Sequence, residues 1–254
     1  MNPPLYQQLT PLARRTRRLS PAWTPASDPG LAFWLDGADA ATVTLVSGNV
    51  SGMLDKSPAA AAITTTGASG RPAYLVAAQN GRNALQFNGS TNSLFCNLAI
   101  TQPYTAFFVS SVVGTGVNGG NPNTIFEAKD LVSGRLVGFH FTKFASAQDL
   151  MARFDGTTRN NTLFSSTLPA TAFTRRSDFA GVANGKIYEN GVLKATDNTA
   201  LVSPNTSTQI QIGSEFGGNF LEGVLGELII RNGLADSATQ VLYETFLQLK
   251  WGTA

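Results

Sequence analysis

Residues 224–252 read VLGELIIRNGLADSATQVLYETFLQLKWG, and this stretch decides the fold class. Its first seven residues are strand-like, and the chain then passes through Arg231-Asn232-Gly233 into one short helix, which we predict over 237–250. Almost everything before this stretch reads as short β-strands. A β-rich chain that is closed by a single amphipathic helix allows few folds.

The predicted helix carries its own start and stop signals. Asp236 or Ser237 can cap its N-terminus, Ser237 with Gln240 fits a capping box, and Gly252 supplies the stop. A helix of this length is marginal alone, so it must dock on the strands. The stripe predicted to do so has apolar residues at i, i+4 and i+7, namely Leu242, Phe246 and Leu249.

The body reads as one antiparallel β-sandwich. Turn signals recur about every ten residues and include four Asn-Gly pairs, at 80–81, 88–89, 184–185 and 190–191. The long apolar run 104–113 predicts a central strand buried on both faces, and the alternation in 136–144 predicts a half-buried strand. The predicted strands are 31–36, 72–76, 84–87, 93–98, 104–113, 124–128, 136–144, 179–182, 186–189, 192–195 and 209–213.

The first thirty residues, here called the leader, differ from the rest. The leader contains six of the 12 prolines and four arginines (Arg14, Arg15, Arg17 and Arg18) but a single acid, Asp28, so its formal charge is +3. The remaining residues sum to −1. Proline lacks a backbone donor, so we expect an extended arm rather than a central strand.

The leader needs a surface to lie on, because it has too few apolar residues for a core of its own. It could wrap its own domain, bind nucleic acid or dock on a partner subunit. Four arginines without a folded basic surface are a weak nucleic-acid footprint, so docking on a partner is preferred. Its predicted docking residues are Leu5, Tyr6, Leu9, Leu12, Arg14, Arg15, Arg17, Arg18 and Trp23.

The amino-acid composition narrows the class of protein further. Charged residues make up 13% of the 254 residues, about half the usual share. Cys96 has no second cysteine to pair with, so we expect it to pack as a small hydrophobe. No apolar run reaches the length of a membrane span, and the basic cluster is not followed by the apolar segment of a secretory signal.

Several pieces of the body occur in an order that resembles the concanavalin A-like and laminin G-like jelly rolls of tailed-phage virion proteins and bacterial surface proteins. Met53 or Leu54 stands where members of that family often carry a tryptophan. The matching pieces lie within 31–252: they are 31–36 with Asp39 and 42–44, Asp55-Lys56-Ser57, Arg71-Pro72, 80–89, 188–192, 226–230 and Lys250-Trp251-Gly252. The resemblance implies two curved antiparallel sheets and, often, binding of glycans or proteins.

No catalytic constellation stands out. A glycoside hydrolase needs two carboxylates about 5–9 Å apart. The odd spacings of Glu222 from Glu227 and of Glu127 from Asp130 put each pair on opposite faces of a regular strand. One histidine, His140, cannot form a histidine-rich zinc site, and we predict a protein that is not an enzyme.

Two binding sites are weaker candidates. Asn118, Asn121, Asn123 and Asp130 lie in or near a Gly/Asn-rich loop and could hold Ca²⁺, although ordinary turn chemistry explains them better and no cofactor is expected. For a glycan, the sequence offers an exposed aromatic residue between glycines with polar neighbours. The predicted glycan-binding residues are Phe216, Asn219, Arg159 and Asn160.

These observations lead to a functional hypothesis with one main alternative. A structural protein of a bacteriophage virion, assembled in the host cytoplasm, would display the jelly roll outward and use residues 1–30 to dock on capsid or tail proteins within a homo- or hetero-oligomeric assembly. It would be a capsid decoration or a tail- or fibre-associated protein, with host attachment through surface polysaccharide. The alternative is a stand-alone lectin-like module of a bacterial surface or exported protein.

Overall fold

A computed structural model describes residues 23–112, 123–133, 136–144, 148–155, 158–165, 173–180, 185–197, 205–215 and 218–253. Within these ranges the side chains of residue 136, of 139–144 and of most of 148–165 are left aside. Within the described residues, no helix combines the length and apolar character needed to cross a membrane.

The described chain is a series of antiparallel strands followed by one α-helix, α1, Ser237–Trp251. Short 3-10 turns lie at Pro25–Ser27, Ala40–Thr42 and Ala68–Gly70. The strands are β1 Leu31–Asp36, β2 Val43–Val46, β3 Asn49–Leu54, β4 Ala62–Thr65, β5 Ala73–Gln79, β6 Arg82–Asn88, β7 Leu94–Cys96, β8 Tyr104–Val112, β9 Asn123–Lys129, β10 Leu136–Phe144, β11 Gln148–Asp155, β12 Thr158–Ser165, β13 Phe173–Phe179, β14 Lys186–Glu189, β15 Val192–Thr196, β16 Gln209–Ile212 and β17 Glu222–Asn232.

The pairings form two layers. In the helix-side sheet, β17 lies between β8 on one edge and β1 and β6 on the other. The sheet continues from β8 through β13 and β14 to β15, and from β6 to β5. The outer sheet runs β2-β3-β4-β7-β16-β9-β10-β11-β12. Among the described residues, a bridge between Asn49 and Ala73 joins β3 of the outer sheet to β5 of the helix-side sheet. The predicted all-β sandwich with one C-terminal helix is confirmed.

One hydrophobic cluster holds the two sheets together, and a second holds α1 on the helix-side sheet. The larger one lies between the sheets and includes Phe33 and Phe108 from the helix-side sheet and Cys96 and Phe126 from the outer sheet. The smaller one lies between the helix-side sheet and α1. Strand β8 contributes to both clusters, which confirms the prediction of a central strand buried on both faces.

The turn chemistry and most strand positions agree with the sequence. Asn80 and Gly81, and likewise Asn190 and Gly191, have the positive φ angles that tight hairpins need. The meander differs from its prediction, because its first strand is β13, which ends at Phe179 where the predicted strand 179–182 begins. Five strands were not predicted: β2, β3 and β4, which lie between the predicted strands 31–36 and 72–76, and the paired β11 and β12.

The helix is where predicted, but it docks through a different face. Asp236 is the cap: its side chain accepts from Thr239 N at 2.8 Å, whereas the Gln240 amide donates to Ala235 O, so the Ser237 capping box is wrong. The predicted stripe is also wrong, since Leu242 is 41% and Leu249 77% exposed. The helix docks through Tyr243, Leu247 and Trp251, which are buried one helical turn apart.

Candidate functional site

The end of the leader packs on the body. The Trp23 ring lies edge-on against Tyr243, with 4.9 Å between centroids, and against Phe246, at 6.2 Å. Asp28 receives hydrogen bonds from the Arg231 side chain at 2.8 Å and from the Tyr243 hydroxyl at 2.9 Å. Residues 23–30 therefore lie against α1 and β17, and the other predicted docking residues, in 1–22, lie outside the described residues.

A buried carboxylate joins β1, β17 and α1. Glu227 is fully buried and accepts from two indole nitrogens, Trp34 Nε1 and Trp251 Nε1, each at 2.6 Å. Lys250 Nζ lies 2.8 Å from the same carboxylate. Burial raises the pKa of Glu227, and the charge of Lys250 opposes that rise. A buried carboxylate with three donors holds both tryptophans and Lys250 in fixed positions.

Two lysines extend this network to the surface. Asp36 bridges Lys56, at 2.8 Å, and Lys250, at 2.6 Å, and Asp39 adds a second contact to Lys56 at 2.7 Å. Burial alone would lower the pKa of Lys56, but the hydrogen bonds to Asp36 and Asp39 outweigh it and the pKa is raised. The Lys56 ammonium also lies 4.3 Å from the centre of the Trp34 ring, a cation–π contact.

The hairpin between β5 and β6 closes the end of α1. Gln79 donates to Trp251 O, and Asn80 and Arg82 both donate to Lys250 O, at 3.0, 3.1 and 2.9 Å respectively. The last carbonyls of a helix have no partner within the helix, so these contacts satisfy them. The separate motif pieces thus converge at one place: 31–36, Asp39, Asp55-Lys56-Ser57, 80–89, 226–230 and Lys250-Trp251-Gly252.

Above this network lies an open groove of about 750 Å³. One wall is α1 and the other is formed by β1, the end of the leader and the β5–β6 hairpin. Its lining mixes aromatic, aliphatic and charged side chains. The residues that define the groove are Trp23, Thr24, Trp34, Asp36, Lys56, Arg82, Val241, Leu242, Thr245, Phe246, Leu249 and Lys250.

Three of the four predicted glycan-binding residues are described, and they are not among the residues that line the groove. The side-chain amide of Asn219 donates to the Glu215 carboxylate. The backbone carbonyl of Asn219 accepts from Thr124 N on β9 at 3.2 Å. Arg159 and Asn160 are on β12, paired with Phe154 and Arg153 of β11. No pairing of the described strands brings β12 next to Asn219. Phe216 and the side chains of Arg159 and Asn160 lie outside what is described.

The first pair of acids considered for hydrolysis, Glu222 and Glu227, is not placed for that chemistry. A bulge in β17 between Leu225 and Glu227 shifts the alternation, so Val224 and Glu227 both face α1 although they are three residues apart. The premise of a regular strand is therefore wrong for Glu222 and Glu227. Five residues of strand still separate them by about 16 Å, too far for that chemistry.

Two of the four calcium candidates, Asn123 and Asp130, make turn and strand contacts. Asn123 Oδ1 accepts from Glu222 N at 2.7 Å, and Asp130 accepts from Val132 N at 3.1 Å. Asn118 and Asn121 lie outside the described residues. Among the described residues, no cluster of three or more His, Cys, Asp or Glu side chains is placed to hold a metal ion.

Sequence reasoning missed the groove, although its charged residues stand in the quoted motif pieces. A signal was present in a chain with few charged residues: Lys250 directly precedes Trp251, and Asp36 stands two residues after Trp34. Pairing Glu227 with Trp34 and Trp251 requires knowing the register of β1 on β17, in which Trp34 lies opposite Ile229. Separations of 193 and 24 residues along the chain hide such contacts.

No protein-family model and no curated protein matches this chain. Solved structures with a similar fold include the receptor-binding domain of botulinum neurotoxin mosaic serotype C/D, with 13% identity and a TM-score of 0.64, which covers 88% of this chain and 54% of that one. The binding domain of serotype D is similar, with 13% identity, a TM-score of 0.62 and coverage of 88% and 54%.

The binding domain of serotype G gives 15% identity, a TM-score of 0.58 and coverage of 79% of this chain and 51% of that one. The chain thus spans about half the length of these structures. At such identities the likeness establishes the fold, a β-sandwich that also occurs in receptor-binding domains.

Proposed function

We propose that this chain is a non-catalytic recognition module that binds a surface carbohydrate in the groove between α1 and β1. The observation that carries the proposal is the composition of the groove: aromatic rings beside polar side chains that are already fixed in place. Saccharides have apolar ring faces and polar edges, and a site of this mixed kind suits both. The fold shared with receptor-binding domains supports the same class of function, and the groove is the site that we propose for it.

The polar side chains of the groove are preorganised. Lys56 is held by Asp36 and Asp39, and Lys250 by Asp36 and Glu227, so neither side chain has to be ordered when a ligand arrives. Immobilising a long side chain on binding costs about 0.5–1.5 kcal/mol, and this network avoids much of that cost. Trp23 is half-buried and supplies the accessible aromatic ring at the rim.

Charge indicates the kind of saccharide. The lysines are matched by carboxylates in direct contact with them, and Arg82, which donates to a helix carbonyl, is the further cation of the lining. A groove with such balanced charge favours an uncharged or weakly acidic sugar over a strongly anionic one. We expect hydroxyl groups of the ligand to reach Arg82 and Lys56 while one ring face lies on Trp23.

The test is a glycan array followed by calorimetric titration of the strongest hit. Trp23→Ala should weaken binding about tenfold, which corresponds to about 1.4 kcal/mol. Because Trp23 also packs on α1, the exposed Arg82→Ala is the second variant, and Val132→Ala, 91% exposed and outside the groove, is the matched control. Wild-type affinity in both groove variants, or loss only in Phe216→Ala, would refute the groove as the binding site.

A second candidate is a virion component that docks through its leader. The Pro/Arg-rich composition of residues 1–22 and the resemblance of the body to phage jelly rolls favour it, while none of the similar structures named above is a virion protein. Removal of residues 1–22 should then abolish incorporation into particles and leave the fold intact, because Trp23 to Gly30 stay with the body. Unchanged incorporation would rule out the anchoring role.

A further inference from the structure

The groove has two walls of different chemistry. On one side α1 presents Val241, Leu242 and Leu249, whose side chains are 61%, 41% and 77% exposed, and these three residues are here called the aliphatic wall. On the other side the lining is polar and includes Lys56 and Arg82. A groove built in this way fits a ligand that is apolar along one edge and polar along the other.

The aliphatic wall follows one side of the helix. Leu242 and Leu249 are two turns apart, about 10 Å along the helix axis, and differ by only about 20° around it. Thr245, which is exposed and also lines the groove, lies between them and adds one hydroxyl group. The wall therefore offers branched apolar side chains on either side of a hydrogen-bonding group.

A sugar that carries only hydroxyl groups is poorly matched to this wall. A hydroxyl group that is pressed against a leucine side chain loses its water without gaining a hydrogen-bond partner, which is unfavourable. A methyl group in the same position removes apolar surface from water on both molecules and strengthens binding. The aliphatic wall should therefore discriminate between sugars by their substituents.

The charges around the groove are balanced, so they do not require an ionic ligand. The cations of the lining are Lys56, Arg82 and Lys250. Both lysines lie within 3 Å of carboxylates, and the formal charges of these acids equal those of the three cations; the acids are Asp36, Asp39 and Glu227. The substituent that meets the aliphatic wall should therefore belong to a neutral sugar.

An acetamido group joins a methyl group to a neutral hydrogen-bonding unit. Its N–H donates and its carbonyl accepts, so its polar atoms can bond to a threonine hydroxyl or to Arg82 while its methyl group lies on a leucine. Thr24 is a further hydroxyl of the lining, and its side chain makes no capping bond to the turn that follows it.

We propose that the groove is selective for N-acetylated sugars and that their acetyl methyl groups pack on the aliphatic wall of α1. The inference rests on the proposed function and deepens it, since it names the class of saccharide and the residues that select it.

Two disaccharides with the same linkage test the selectivity. In N,N′-diacetylchitobiose, acetamido groups replace two hydroxyl groups of cellobiose. Calorimetric titration of the full-length chain should give about tenfold tighter binding of diacetylchitobiose, as expected for an apolar group that enters a matching pocket. Nuclear Overhauser contacts should join its acetyl methyl groups to the methyl groups of Leu242 or Leu249.

A double variant of the wall removes the apolar contact and keeps a good helix former. Leu242→Ala with Leu249→Ala should weaken binding of diacetylchitobiose about tenfold and leave that of cellobiose almost unchanged. Leu131→Ala with Val132→Ala is the matched control: both residues are exposed and lie outside the groove, and neither affinity should change.

The outcomes separate this inference from the proposed function. Arg82→Ala should weaken both disaccharides alike, because Arg82 lies on the polar wall. If Arg82→Ala weakens both but wild-type chain binds them equally, or if the leucine variant keeps the preference, the selectivity is wrong and the carbohydrate groove stands. A preference for L-fucose over L-galactose without one for diacetylchitobiose would assign the wall to 6-deoxy sugars and overturn the acetamido proposal. Binding of none of these sugars, with no hit on the array, would overturn both.

Discussion

Glu227 is the residue on which the groove is built. Its two oxygens accept from two indoles and contact Lys250. Trp34 lies on β1, whereas Trp251 and Lys250 are neighbours at the end of α1. Removing one member of a buried charged network leaves the remaining polar groups without partners and is far more costly than removing a surface pair. Glu227 therefore couples the stability of the body to the shape of its groove.

Glu227→Gln should lower the free energy of unfolding by about 3–5 kcal/mol, because an amide cannot serve all three donors. Urea denaturation followed by tryptophan fluorescence measures the change. Asp130→Asn, in the turn after β9, is the control; it weakens hydrogen bonds within one surface turn only and should cost much less than Glu227→Gln. Equal midpoints for the two variants would mean that the buried network contributes little.

Cys96 is predicted to be chemically silent in the folded chain. It is fully buried between the sheets, and burial raises its pKa to about 12, so the thiolate is scarce at neutral and mildly alkaline pH. Native protein at pH 8 should not react with Ellman's reagent, and unfolded protein should release one equivalent of chromophore per chain. Rapid reaction of the native protein would contradict the burial of Cys96.

At the scale of elements, α1 shows what the periodicity of apolar residues can and cannot predict. Two stripes at helical spacing are present: Leu242, Phe246 and Leu249 on one side, and Tyr243, Leu247 and Trp251 on the other. The second docks because Tyr243 stacks on Phe107 at 4.5 Å and Trp251 reaches Glu227. Spacing alone could not choose between the stripes, since the choice depends on the strand surface below.

Leu247→Ala should destabilise the chain by about 2–5 kcal/mol, the range for a large buried aliphatic residue. Leu249→Ala should change stability by less than about 0.5 kcal/mol, because that side chain is mostly exposed. Thermal denaturation of the two variants makes the comparison within one helix. A larger loss for Leu249→Ala would restore the stripe predicted from the sequence.

The helix cap gives a prediction that depends on pH. Backbone and side-chain hydrogen bonds to Thr239 lower the pKa of Asp236. The ionised cap therefore contributes stability above the unfolded-state pKa, and this contribution is lost as the pH falls through the lower folded-state value. Asp236→Ala should lower the urea midpoint at pH 7 and have a smaller effect near pH 3.

Ser237→Ala is the matched control for the cap, because the sequence allows either residue and the structure uses Asp236. It should have little effect at either pH. A larger loss in Ser237→Ala would contradict the assignment of the cap.

The sequence predicted the strands, turns and helix where local signals are strong. The prediction failed where contacts between separate segments of the chain determine the structure. Strands β11 and β12 stabilise each other through pairing, and the bulge near Gly226 changes which side chains of β17 share a face. The groove could not be predicted from the sequence for the same reason. Its charged residues could be recognised one by one, but only the pairing of β1 and β6 with β17 and the docking of α1 show that they meet.

At the scale of the whole molecule, a two-layer sandwich carries a helix on one sheet and a groove beside that helix. Carboxylates fix the two lysines of the groove, and the chain enters the body at the rim of the groove. One location thus combines the motif pieces, the end of the leader and the outward face of α1. The central claim is that this location, rather than the turn around Asn219, is where the protein meets its ligand.

The most direct measurement is a nitrogen–proton NMR titration of full-length protein with the oligosaccharide that binds most strongly on the array. The three tryptophans give three indole signals, and Trp34 and Trp251 donate to buried Glu227. The account predicts that the Trp23 indole and the Arg82 Nε signals shift on binding while the Trp251 indole stays in place. Shifts confined to the 215–219 turn, with Trp23 and Arg82 unchanged, would contradict it.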